Sequence, residues 1–220
     1  MDKINPQKVK EEMGKADPKA LAAQLRQPQG EDGKMVAEAM AIGNSYLINI
    51  TLEQLQIKAG DAVLEIGFGG GRHIAEVVET MKGGLYEGVD MSKTMVEMAK
   101  EINHDLIEDG RVTLTEGIVS ELPCYGDYFD KIFTVNTIYF WPQPRKDILE
   151  VYRVLKKGGT LAIGVRSKDA MENFPATKFG FNLYNIKDIE KLLIDAGFEI
   201  ISSVQKDDSV GDAVCVLAKK

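Results

Sequence analysis

The stretch from Val63 to His73, VLEIGFGGGRH, gives up side chains where a chain would normally keep them. Four of the five residues from Gly67 to Gly71 are glycine, and they follow an apolar run that reads as a buried strand. Glycine tolerates backbone angles closed to other residues and lets a ligand lie against the main chain without meeting a Cβ. A helix opening after the loop would add unpaired N–H groups. Asp90 ends the next strand-like run, LYEGVD, where a carboxylate can accept from both hydroxyls of a ribose. An acid at a strand end also serves as a helix cap, and Ser92 competes for that task. The dinucleotide fingerprint G-x-G-x-x-G is not met, because Arg72 stands where its third glycine belongs. What fits is E-x-G-x-G-x-G over Glu65, Gly67, Gly69 and Gly71, with Phe68 among them.

Other chemistry is poorly represented. The two histidines, His73 and His104, have no second ligand near them, so no metal site is expected. Cys124 and Cys215 are too far apart for a redox or metal pair and read as reduced thiols. No Ser-His-Asp or Cys-His arrangement stands out, so no catalytic residue is assigned. With 34 acidic against 27 basic residues, the net charge of −7 argues against a binder of phosphate backbones. No run approaches the ~18 apolar residues of a membrane span, and the first residues carry no apolar leader. A cytoplasmic protein is the expectation.

The elements that must hold the glycine loop follow from periodicity. Strands are expected at 62–67, 85–90, 111–117, 131–137 and 160–165, then at EIISSVQK and DAVCVLAK. Helical spacing recurs between them: Ile74, Val77, Val78 and Met81; Met95, Met98, Ala99, Ile102 and Leu106 in one helix; Ile148, Leu149, Val151, Tyr152 and Leu155. Such alternation predicts an α/β fold: a Rossmann-like doubly wound sheet of seven strands, mostly parallel, with an antiparallel edge hairpin across DDSVG. The expected division is an N-terminal helical arm over 1–60 and a ligand-binding domain over 61–220. The arm reads as short helices, the first capped by Asp17 with Pro18 behind it, the last opened by a Thr51/Gln54 capping box. Gly30, Gly33 and Gly43 flank these pieces and suggest a lid.

From about residue 44 to 220 the chain resembles the class I S-adenosylmethionine-dependent methyltransferases, in particular the small-molecule, type 11-like branch. VLEIGFGGG is similar to the family's first motif and YEGVDMSKTMVEMAKE to its second. EGIVSELPCYGDYFDKIFTVNTIYFW corresponds to the adenine loop and fourth strand, ILEVYRVLKKGGTLAIG to a helix-turn-strand element, and LLIDAGFEI to the AGF segment. The resemblance implies S-adenosylmethionine as methyl donor. It implies Gly67, Gly69 and Gly71 along the methionine part, with Glu65 near its amino end, and Asp90 on the ribose. Met91 would cover one adenine face, Ile118 and Val119 would form the adenine loop, and Asn136 would lie beside the methionine portion. The family often has an acid where this chain has Ile118, which leaves an adenine contact missing or supplied by Ser120.

NTIYFWP follows the fourth strand, where amino-group nucleic-acid methyltransferases carry [DN]-P-P-[YF]; Thr137 and Ile138 replace both prolines. A small-molecule acceptor is therefore expected and nucleic acid is not; the oligomeric state is left open. Tyr139 is the candidate for orienting an acceptor, and Tyr46 and Trp141 are candidates for contacting it. Two alternatives stay open: a non-catalytic S-adenosylmethionine-binding or interaction protein of the same fold, and a nicotinamide-dependent oxidoreductase.

Overall fold

The computed structural model describes residues 16–208 and 211–220. Seven strands form one sheet in the order β3-β2-β1-β4-β5-β7-β6. They are β1 (Ala62–Ile66), β2 (Leu85–Asp90), β3 (Val112–Glu116), β4 (Phe129–Val135), β5 (Leu155–Arg166), β6 (Glu199–Asp208) and β7 (Gly211–Lys219). The first five run parallel, and β7 inserts antiparallel between β5 and the edge strand β6. This is the expected sheet with its antiparallel hairpin. Strand order reverses at β1, which pairs with β2 on one side and β4 on the other. Ligands of open α/β sheets bind beyond the carboxyl end of such a strand.

Apolar helical stripes cover both faces. One face packs under α2 (Gly30–Leu55), α3 (Ile74–Met81) and α4 (Lys93–Ile102), with Leu47, Ile50, Val78, Ala99 and Phe133 in a common core. The other lies under α6 (Pro144–Val154) and α8 (Ile186–Asp195), where Ile148, Val151, Ile189 and Leu193 meet Leu64, Ile132 and Ile163. The short helices α1 (Pro18–Arg26), α5 (His104–Glu108) and α7 (Lys168–Met171) complete the set, with 3₁₀ turns at Ile138–Phe140 and Pro175–Lys178. Asp17 caps α1 through a 2.9 Å bond from the Ala20 N–H. Among the described residues no helix is long and apolar enough to cross a membrane, and no cluster of metal-ligating side chains occurs.

Several local expectations are corrected. Residues 30–55 are one helix of 26 residues, not two short ones. Gly43, Asn44 and Ser45 are weak helix formers, but burial of Leu47, Ile48, Ile50 and Leu55 against the sheet overrides that weakness. Thr51 is therefore no N-cap. It is fully buried, bonds back to the Leu47 carbonyl at 2.7 Å, and sits on β5 where Gly164 has no Cβ to obstruct it. The helix expected through Leu106 breaks at Asn103, which leaves Ile102 exposed. Leu149, expected inward, is also exposed because Ile148 and Val151 hold the buried stripe of α6. β4 stops at Val135, since Asn136 takes a left-handed φ of 57°.

Candidate active site

A cavity of about 260 Å³ lies beyond the carboxyl ends of β1, β2 and β4. The glycine loop forms its floor, and α1 and the first half of α2 cover it. Its α2 wall is Ala37, Met40, Ala41, Asn44 and Ile48, a single stripe at three- and four-residue spacing.

The loop is held open by neighbours chosen to leave space. Gly69 has φ 58° and Gly71 φ 72°, both in the left-handed region. A Cβ on Gly69, a residue that lines the cavity, would meet no protein atom within 4 Å, whereas one on Gly71 would stand 2.6 Å from Ala99 Cβ. The Asn103 side chain donates to the Gly71 carbonyl at 3.0 Å, so the break that ends α4 also pins the loop. Phe68 lies across β2 at Gly88, the one position there without a side chain.

Asp90 is buried at the end of β2 and already accepts two backbone N–H groups, from Gly69 at 2.9 Å and Ser92 at 2.8 Å. Each oxygen retains a second lone pair, and the residue lines the cavity. Burial pushes this carboxyl up to about 6, the two N–H bonds pull it down, and the charge of Glu65 adds to the rise. Glu65 is itself buried and accepts from His73 Nε2 at 2.8 and 2.9 Å and from the Tyr86 hydroxyl.

A chain of hydroxyls runs from β1 to the opposite wall. Thr134 donates to the Ile66 carbonyl at 2.7 Å, which commits its proton. Thr137 must then donate to Thr134 and accept the indole N–H of Trp141 at 3.2 Å. Trp141 consequently shows the cavity its apolar ring, with its one donor turned away. Thr137→Val keeps the shape but leaves that N–H unpaired. It is expected to cost about 1–3 kcal/mol, measurable as a lowered midpoint in denaturant unfolding.

Asn136 donates to the Asn44 side chain at 2.9 Å, and its Oδ1 accepts from the Tyr139 hydroxyl and the Arg166 N–H at 3.1 Å each. Four contacts tie the helical cover to the loops beneath. Gln27 donates to the Met91 carbonyl at 2.9 Å, Ser92 to the Pro28 carbonyl, and the Gly30 N–H to Thr94 at 3.4 Å. Arg72 binds both oxygens of Glu38.

The cavity thus brings together Glu65, Gly67, Phe68, Gly69, Gly71, Asp90, Met91, Ile118, Val119, Asn136 and Trp141. It does not bring in Tyr46 or Tyr139. Tyr46 lies two residues past Asn44, off the α2 stripe, and is exposed. The Tyr139 ring is buried against Phe140 and Phe181, and its hydroxyl is trapped between Asn136 and the Arg166 backbone, where burial pushes its pKa far up. It cannot reach an acceptor from there. Ser120 is likewise spent: it donates to Asp147 at 2.6 Å. Sequence reasoning missed Asn44, His73 and Thr137 as parts of the site. A polar Asn inside an apolar stripe was the one available signal for the first, and adjacency to the glycine loop for the second.

The arrangement fits a nucleoside with an amino-acid tail: a floor without side chains, a buried carboxylate at the end of β2, and a hydrophobic slot at Met91, Ile118 and Val119. Comparison with known proteins agrees. A family model described as a methyltransferase domain matches residues 64–163. The uncharacterized methyltransferase YdaC of Bacillus subtilis is 32% identical over 181 residues, covering 82% of this chain and 95% of that protein. Erythromycin 3''-O-methyltransferase of Saccharopolyspora erythraea is 34% identical over 123 residues, 55% of this chain and 40% of that one. A SAM-dependent methyltransferase structure from Aquifex aeolicus superposes with a TM-score of 0.65 at 23% identity, covering 98% of both chains. The cavity, the glycine loop and the near full-length relative converge: this chain belongs to the class I S-adenosylmethionine-dependent methyltransferases, with S-adenosylmethionine as its methyl donor.

Proposed function

We propose that the chain methylates a small, largely apolar acceptor by in-line displacement, under a lid formed by α1 and the first turns of α2. The observation that carries this reading is the wall made by Met40, Asn44, Thr137, Phe140, Trp141 and Pro142, which holds no ionisable side chain. The donor supplies a methyl group already activated on a sulfonium. The protein's task is then alignment, for which good orientation contributes roughly 7–11 kcal/mol. Gly69 and Gly71 keep the floor clear, Asp90 fixes the ribose, and the ring of Trp141 offers an apolar face beside the acceptor.

With no base on that wall, the acceptor brings its own electron pair, as a thiolate, an amine or a resonance-stabilised anion. The lid excludes water from the reacting centre. The test is S-adenosylhomocysteine release by the full chain against panels of thiols, amines and phenols. Members whose body beyond the reacting atom is apolar are expected to turn over, and those with a further charged group are not; bound cofactor with no release from any of them would favour the non-catalytic binder. A second prediction concerns the lid. Since α2 is one helix, the informative truncation removes residues 1–29 and spares Gly30 onward. Thermal unfolding is expected to stay cooperative while turnover falls by about two orders of magnitude, within the range that orientation supplies. Full turnover in the truncated chain would remove α1 from the mechanism.

A further inference from the structure

We propose that His73, held by Glu65 and Tyr86, is the anchor for the amino-acid carboxylate of S-adenosylmethionine. The floor of the cavity needs a positive partner for that group, and its more obvious candidate is occupied. Arg72 is bound through both of its forks to Glu38 on α2, so its charge serves the helical cover. Arg26 at the end of α1 also lines the cavity, but it is exposed.

His73 lines the same stretch as Gly69 and Gly71. Its Nε2 lies between the two oxygens of Glu65 at 2.8 and 2.9 Å, and a carboxylate only accepts, so that nitrogen carries a hydrogen. Nδ1 has no protein partner among the described residues, and it is the atom that gains or loses the proton. When protonated it is a charged donor without a protein acceptor, beside a loop whose Gly67, Gly69 and Gly71 N–H groups are already given to Val89, Asp90 and Phe68.

The surrounding groups favour that charge. Glu65 on β1 is adjacent, Tyr86 on β2 donates to Glu65 and stays neutral, and Asp90 lies further along β2. Glu76 belongs to α3 itself, Asn103 on α4 is neutral, and the Arg72–Glu38 pair from α2 is internally balanced. Burial pulls the imidazole down, but the charge and hydrogen bond of Glu65, with help from Glu76, bring it above its ordinary 6.5. The charged form binds the carboxylate, so the His73 contribution to affinity is full on the acid side of its pKa and is lost as pH rises through it. By reciprocity, the bound carboxylate must raise that pKa further.

S-adenosylhomocysteine and 5′-methylthioadenosine share the nucleoside and thioether, but only the first has the amino-acid tail. In calorimetry on the full chain from about pH 6 to about pH 9, across the histidine range, S-adenosylhomocysteine affinity is expected to fall about tenfold relative to that of methylthioadenosine, whose ribose carries the same dependence on Asp90. His73→Gln should lose about tenfold at the acid end and flatten the profile, with methylthioadenosine affinity unchanged, which also reports that the variant is folded. Histidine NMR gives an independent reading, because the chain has only His73 and His104. S-adenosylhomocysteine should move the His73 titration up by about one unit, a tenfold coupling, and leave exposed His104 where it was. An unmoved His73 titration, or a His73→Gln profile that superposes on the parent, would overturn the proposal. Loss of both ligands together would instead indict the cofactor cavity as a whole.

Discussion

Gly69→Ala is expected to abolish S-adenosylhomocysteine binding with little loss of fold, and Gly71→Ala, two residues on, to do its damage to the fold. Both glycines are left-handed, at φ 58° and 72°, so alanine at either costs roughly 1–2 kcal/mol of backbone strain. They differ in what the new Cβ meets. At Gly69 it meets no protein atom within 4 Å, so the expected clash is with a cofactor lying along the main chain there, as proposed above. At Gly71 it comes 2.6 Å from Ala99 Cβ and 3.0 Å from Ile74 Cδ1, and presses Asn103 Nδ2 at 3.1 Å. Overpacking of that kind adds about 1–3 kcal/mol, a large share of the roughly 5–15 kcal/mol of a typical domain. Calorimetry should show at least a hundredfold affinity loss for Gly69→Ala, about 2.7 kcal/mol, with a thermal midpoint near the parent's. Gly71→Ala should melt well below it. Retained binding in Gly69→Ala would mean that the cofactor does not approach the main chain there.

The second large effect is at Asp90. Asp90→Ala removes a charged acceptor worth about 1.5–3 kcal/mol, and it also orphans the Gly69 and Ser92 N–H groups at about 1–3 kcal/mol each. Affinity and stability should fall together. Asp90→Asn separates them: it retains one acceptor oxygen but cannot accept on both sides, so affinity should fall by at least tenfold with a smaller loss of stability. The pH dependence has a definite sign. Burial raises the folded-state carboxyl from 3.8 to about 6, so its protonated form is the more stabilising one. That contribution is full below 3.8 and is lost as pH rises through about 6. Binding is expected to run the other way, because ribose hydroxyls on Asp90, as proposed above, need the ionised form, and affinity should rise with pH through about 6. Asp90→Asn should flatten both trends. An unchanged acid limb in that variant would assign the titration to another group.

How much of this was legible beforehand depends on the range of the forces involved. The sheet, its antiparallel edge and the stripes of α3 and, Leu149 apart, α6 follow from apolar periodicity, a local property that survives in one dimension. The glycine loop and Asp90 were equally readable, because each answers a local need: left-handed backbone, close approach, and an acceptor at a strand end. The continuity of α2 was not. Gly43, Asn44 and Ser45 argue for a break, and only the sheet packed beneath Leu47 and Ile50 decides against it.

Side-chain roles divide in the same way. Composition alone put an aromatic cluster after the fourth strand, but nothing in NTIYFW distinguishes the ring that lines the cavity from the one that packs beneath it. Trp141 faces inward because Thr137 claims its N–H, and Tyr139 is lost to the site because Asn136 and Arg166 claim its hydroxyl. Glu65 and His73 are eight residues apart in sequence, and their pairing exists only once the loop has folded back over β1. By itself, then, the sequence determined the fold, the glycine loop and the acid at the end of β2. The tertiary structure decided which polar groups are already spent on one another and which still face the cavity, since hydrogen bonds are exclusive and their partners arrive from distant segments.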